Sequence, residues 1–205
     1  MKKITFNDKY GLTKAVLEGR KTQTRRIVSL TLHKEIGMNL IEVYPDQIFL
    51  YEGAWLFRTE NKIYELPKEN RPKYNIGEIV AIAQRYKDAG LKPNTLVPTV
   101  NGYKIPAIIH KGWNNKMFVS SNLMPHQIFI TNVRVNRLQD ISDDDCLKEG
   151  IIEPTKEFPW YSFGSKSFLF NEPKKAYSFL IDKIYGEGTW DKNPFVFVSD
   201  FYIIK

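Results

Sequence analysis

The closing run FVFVSDFYII, residues 195–204, places eight apolar or aromatic side chains in ten positions. A strand with one wet face alternates apolar and polar residues, so a run this continuous has to be covered on both sides and commits the chain to a central, buried strand. EIVAIAQRY after Gly77, Tyr103 to His110 and Gln127 to Arg137 read as further strands. NLIEVY, QIFLY and AWLF, between Asn39 and Arg58, read as a meander punctuated by Pro45-Asp46 and Glu52-Gly53. Irregular loops, not regular crossover helices, separate these segments. Six or more strands with about three helices therefore point to an α+β fold, a small mixed or antiparallel β-barrel with flanking helices, in preference to a parallel βαβ sheet.

The helices carry their own marks. Leu12, Ala15, Val16 and Gly19 follow the spacing of one helical face, which predicts a helix from about Tyr10 to Glu18 that stops where glycine allows a positive φ. Ser142 and Asp145 open a second helix of about two turns, with Asp143 and Asp144 at its positive end and Gly150 at its close. Pro173 opens a third, whose apolar face, Ala176, Phe179, Leu180 and Ile184, is expected to pack on the barrel as plain core before Gly186 ends it.

At 205 residues, 42% hydrophobic and 26% charged, the chain reads as one globular domain over 1–205 with insertions at about 30–70 and 155–170. Cys146 stands alone, MKKITFND has no apolar run behind its lysines, and no segment approaches the roughly 20 apolar residues of a membrane span. The expectation is a cytoplasmic protein without a membrane partner. Net charge is +7, and residues 1–30 hold eight basic side chains against two acidic ones. A patch of that kind either draws polyanions or serves as a solubilising surface.

The charge is densest in GRKTQTRR, residues 19–26, with four cations and two threonines directly after the first helix. Lys21 and Thr24 act together only if the chain bends between them, because residues three apart on a straight strand face opposite sides. Glu149 is the odd residue of the second helix, a carboxylate at the negative end of the dipole where lysine is usual. It is either an exposed acid paired with nothing or an acid held ready by a cation from elsewhere in the fold. FPWYSFGSKSFLF, Phe158 to Phe170, adds six aromatic rings that either stack on a base or, the preferred reading, close the end of the barrel. His33, His110 and His126 lack ligand spacing and one cysteine makes no cluster, so no metal site is expected. Asp143 to Asp145 lack the glycine and distal glutamate of a calcium loop; phosphate-binding and dinucleotide glycine motifs are absent, so no cofactor is expected, and a Gly-x-Ser-x-Gly nucleophile is absent too.

AVLEGRKTQTRR from Ala15 to Arg26, Gly77-Glu78 ahead of a strand, MPHQIFITNVRVNRLQDISDDDCLKEGI and GTWDKNPFVFVSDF together resemble the ASCH-domain proteins of the PUA-like superfamily, in the long form common in phages and prophages. The resemblance runs from Phe6 to Phe201. It implies a PUA-like barrel with a basic cleft for RNA or a modified nucleoside or nucleotide. Small bacterial members similar to this chain hydrolyse the amide of N4-acetylcytidine with a lysine, a threonine and a glutamate. Lys21, Thr24 and Glu149 stand at the matching places, which implies threonine as nucleophile, lysine as base and glutamate as acid to the leaving amine. Arg20, Thr22, Arg25 and Arg26 in the octet, with Gln84 and Arg85, are the implied substrate contacts. Where long members carry roughly VRETW, this chain has Ile82-Ala83-Gln84-Arg85-Tyr86, with the acid replaced. A ribonuclease using the same basic loop is the third reading. Lys21, ordinarily near pKa 10.4, has to be lowered to act as a base; the neighbouring arginines and burial push it down and a pair with Glu149 pushes it up, which leaves the sign open.

Overall fold

The computed structural model describes residues 1–28, 32–36, 39–43, 45–59, 62–164 and 168–204. Its elements, in order, are β1 (Lys3–Ile4), α1 (Leu12–Leu17), β2 (Gln23–Ile27), β3 (Leu32–Ile36), β4 (Asn39–Val43), β5 (Gln47–Tyr51), β6 (Ala54–Thr59), β7 (Lys62–Glu65), β8 (Ile79–Ile82), β9 (Leu96–Pro98), β10 (Lys104–Pro106), β11 (Gln127–Arg137), α2 (Asp143–Lys148), α3 (Pro173–Tyr185), α4 (Thr189–Lys192) and β12 (Phe195–Ile204). The class is α+β.

Five strands form the main sheet in the order β1-β8-β11-β12-β2. The β1–β8 pairing is parallel and the others are antiparallel, so the sheet is mixed. β12 lies inside it, and Phe195 to Ser199 are buried without a break, as the apolar run requires. β11 instead alternates at its start and is half-exposed toward its end. Among the described residues no ladder joins β1 to β2, which corrects the expected barrel: the sheet stays open. The physical reason is local, since β1 is two residues long and the chain leaves the sheet at Thr5. Between these two edges Arg26 Nη2 donates to the Thr5 carbonyl at 2.8 Å, a side-chain bridge in place of a ladder.

The expected meander also differs. NLIEV pairs backward with β3, while β5, β6 and β7 form a separate three-stranded sheet, so the break at Pro45-Asp46 divides two sheets and not two strands of one. Tyr103 to His110 holds only the short β10, followed by a 3₁₀ turn at Ala107–Ile109, and pairs with β9 as a two-stranded ribbon.

The main core lies between the sheet, α1 and α3, with Ile4, Val16, Ile130, Leu180 and Val198 at its centre. Each such side chain fully buried contributes about 1.5–3 kcal/mol. The Phe158–Phe170 segment joins it: Phe163 is buried and stacks on Phe168 and Phe170, and Phe179 of α3 meets all three. Those rings pack, as preferred from sequence; residues 165–167 of the segment lie outside the described residues.

Candidate active site

Gly19, at φ 74°, ends α1, and the amides of Arg20 and Lys21 both return to the Ala15 carbonyl. The chain thus turns sharply before β2 begins. Thr22 then ties the octet to two distant elements: its amide donates to the Lys148 carbonyl and its carbonyl accepts from the Phe201 amide. The turn precedes Lys21 and does not fall between it and Thr24; the Lys21 side chain reaches the Gln23 carbonyl at the start of β2, and Lys21 and Thr24 meet only as lining of one cavity.

Lys21 is one of the largest fully buried side chains in the protein. Its Nζ donates to the Gln23 carbonyl at 2.8 Å, to the Glu149 carbonyl at 2.8 Å and to Glu149 Oε2 at 2.5 Å. All three ammonium hydrogens are used. Glu149, the C-cap of α2, is buried and paired, not exposed. The lysine that helix chemistry favours at a C-terminus is therefore supplied from 128 residues away. Gly150 makes the turn that follows, at φ 103° where an L side chain is strained; a Cβ there would meet Leu12 and Lys21 at ordinary contact distances of 3.4 and 3.6 Å.

Burial lowers the Lys21 pKa, Glu149 raises it, and Arg26 and Arg25 lower it; the net direction is down from the ordinary 10.5. Desolvation outweighs the pair, which gives the shift the sign that the sequence left open.

Arg25 is sealed beside this pair. Its guanidinium bonds the Gln23 side-chain oxygen and Asp145 Oδ2, the latter at 2.7 Å, and stands 3.6 Å from Glu149 Oε1. Asp145 is also met by Gln23 and Arg134, and although burial works to raise its pKa, the Arg25 hydrogen bond holds it below the ordinary carboxylate range.

Lys21, Thr24, Arg25, Arg26 and Glu149 all line one cavity of about 410 Å³. The cavity occupies the gap between the open sheet edges, bounded by Thr5 to Asp8 on one side, β2 on the other, and Tyr177, Leu180 and Tyr185 of α3. So α3 is more than core packing: it forms the cavity wall. The other residues expected to touch substrate are placed elsewhere. Arg20 is at the surface, paired with Glu18; Thr22 is held in the backbone junction described above; Gln84 bonds His126 Nδ1 at 2.8 Å; and Arg85 pairs with Asp88. None of these four is in the lining.

Sequence reasoning missed Asp8, Lys116, Asp145 and Tyr177. Lys116 crosses to the cavity mouth, donating to the Phe6 carbonyl and to Asp8 Oδ1, and Thr13 donates to the same carboxylate oxygen at 2.5 Å. Asp145 carried a signal, as the third acid of a helix start that needs one, but nothing in the sequence paired it with Arg25. Tyr177 falls on the apolar face of its helix, three and four residues before Leu180 and Ile181, and that spacing was the sign of a buried phenol.

Five buried side-chain polar atoms among the described residues lack a hydrogen-bond partner: Arg25 Nε, Arg26 Nε, Glu149 Oε1, Ser162 Oγ and the Tyr177 hydroxyl. Each such atom costs roughly 1–3 kcal/mol. Four of the five belong to residues lining the cavity, so the cost is concentrated where a ligand would relieve it.

Among the described residues no group of three or more His, Cys, Asp or Glu is placed to hold a metal ion, and no helix is long and apolar enough to cross a membrane. No protein-family model matches the chain, and no curated protein and no solved structure matches it.

Proposed function

We propose that the protein binds a modified nucleoside in this cavity and hydrolyses an acyl amide on it without a metal, as its resemblance to ASCH-domain amidohydrolases of the PUA-like superfamily implies. One observation carries the reading: a buried lysine–glutamate pair and Thr24 line the same cavity, whose volume suits a nucleoside-sized ligand.

The pair explains how base and acid are made ready together. Transfer of one proton along the 2.5 Å Lys21–Glu149 contact turns ammonium and carboxylate into amine and carboxylic acid. Burial, which lowers Lys21, favours that neutral form. The Lys21 amine then takes the Thr24 hydroxyl proton as the oxygen attacks the amide carbonyl, and the Glu149 acid protonates the departing amine. Water cleaves the acyl-threonine ester and restores the enzyme. Arg25 stands 3.6 Å from the Glu149 carboxylate that results.

The octet's cations favour a nucleoside over a nucleic-acid strand. Lys21 is paired with Glu149, Arg25 with Asp145 and Arg20 with Glu18, which leaves Arg26, hydrogen-bonded to the neutral Thr5 carbonyl, as the octet cation without a carboxylate among the described residues. Little of that charge is left free to release counterions from phosphates, which is what drives strand binding.

The test is N4-acetylcytidine with purified protein and a chelator, followed by chromatography. We expect cytidine and acetate from the wild type, and loss of about 10²–10⁴ in kcat for Lys21→Ala, Thr24→Ala and Glu149→Gln. Activity should fall as pH rises along a limb whose midpoint lies below 10.5, since loss of the pair's shared proton leaves Glu149 none to give the departing amine. Full activity in Thr24→Ala would overturn the mechanism. Cleavage of a short RNA without action on the nucleoside would favour the ribonuclease reading.

A further inference from the structure

We infer that the Tyr177 hydroxyl is a ligand contact of this cavity, donating a hydrogen bond to the carbonyl oxygen of a bound secondary amide. This rests on the hydrolase reading and extends it to a residue that the resemblance does not assign. Tyr177 lies in the middle of α3, lines the cavity and is 1% exposed, and its hydroxyl has no partner in the protein.

The hydroxyl has no packing task. The residues buried beside it on α3, Ala176, Leu180 and Ile181, are apolar, and a phenylalanine ring would fill the same place. A tyrosine there leaves a buried polar oxygen unpaired, which natural structures avoid unless something else pairs with it. Burial, followed by the field of Glu149, holds the phenol well above its ordinary pKa of 10.0, so it stays protonated and acts as a donor.

Its unpartnered neighbours define the rest of the ligand. Arg25 Nε and Arg26 Nε are donors and Glu149 Oε1 is an acceptor, which with the phenol makes three donors and one acceptor around one cavity. An N-acylated aminopyrimidine matches this pattern, offering carbonyl and ring-nitrogen acceptors beside a single N–H. An amide without that hydrogen leaves Glu149 Oε1 unpaired. As the carbonyl becomes an oxyanion under attack by Thr24, the phenol hydrogen bond strengthens, and such contacts tighten only with the ligand in place.

The experiment compares wild type with Tyr177→Phe by thermal melting, by turnover of N4-acetylcytidine and by calorimetric titration of the same compound. The expected result is an unchanged or higher Tm, a kcat lower by about 10²-fold, and a pH limb unmoved, because Lys21 still sets it. A lower Tm would mean that the hydroxyl has a structural partner and would overturn the inference. Equal turnover by the two proteins would overturn it too and leave the hydrolase reading standing. If the wild type binds without turnover and Tyr177→Phe binds at least tenfold more weakly, the hydrolase reading fails and the contact stands. Neither turnover nor binding by the wild type would overturn both.

Discussion

Lys21 and Glu149 are each buried, and each is the other's neutralising charge. Taking two charges out of water is expensive, and their attraction repays that cost only while both are present. Glu149→Ala should therefore lower the unfolding free energy by about 3–5 kcal/mol, as the buried ammonium loses its counter-charge. The double variant Lys21→Met with Glu149→Leu should recover most of that loss, since no charge remains to strand. Urea unfolding of the two proteins measures both; equal destabilisation by single and double variants would show that the pair is not what holds this corner together. Cys146, adjacent in space on α2, is quiet chemistry by contrast: burial, then Asp143, pushes its thiol up to about 12, which keeps it protonated. At this scale the residue types in the octet were legible from sequence, because Lys21 and Thr24 sit in a motif. Their partners were not, because the pairing of Arg25 with Asp145 depends on how two distant elements meet.

At the scale of elements, α2 is the piece that delivers the acid. Ser142 caps it by accepting from the Asp145 amide, and Gly150 turns the chain at its far end against α1. Both marks were readable, since a cap and a positive φ are local demands. What the glycine does was not readable: it lets α2 approach until Lys148 accepts from Thr22 and Glu149 reaches Lys21. Gly150→Ala puts a side chain where φ 103° disfavours one, while Leu12, Ala15 and Lys21 leave it ordinary contact distances of 3.4–3.6 Å. We expect a loss of about 1–3 kcal/mol in stability together with reduced turnover, as Glu149 is displaced. Preserved turnover at wild-type stability would show that the approach of α2 is not needed. The third helix is legible in the same partial way. Pro173 and Gly186 bound it as expected, yet its inner face serves the cavity as well as the core.

At the scale of the whole molecule, the open sheet and the charge network belong together. Asp145 on α2 joins Arg25 on β2 and Arg134 on β11, while Asp200 on β12 joins Arg134 and Gln23, so one network crosses three strands and a helix. At the mouth Asp8 is held low by Lys116 and Thr13, although burial opposes them. Both Asp145 and Asp8 have folded pKa values below the ordinary 3.8, so the stability they add is present above that pH and is lost as pH falls below it. The melting temperature should therefore drop as pH falls below 3.8, and the drop should be smaller in Asp145→Asn, which has no charge there to lose; an identical drop in the variant would remove Asp145 from the network's acid response. The sequence by itself determined a buried central strand, the helix ends at Ser142, Gly150, Pro173 and Gly186, and a local excess of cations, because periodicity, capping and charge density are properties of neighbouring residues. Only the tertiary structure decided that the sheet stays open, that three of the octet's four cations are ion-paired within the protein, and that Lys21 is lowered rather than raised. Those outcomes turn on desolvation and on contacts between residues more than a hundred positions apart, and no local pattern encodes either.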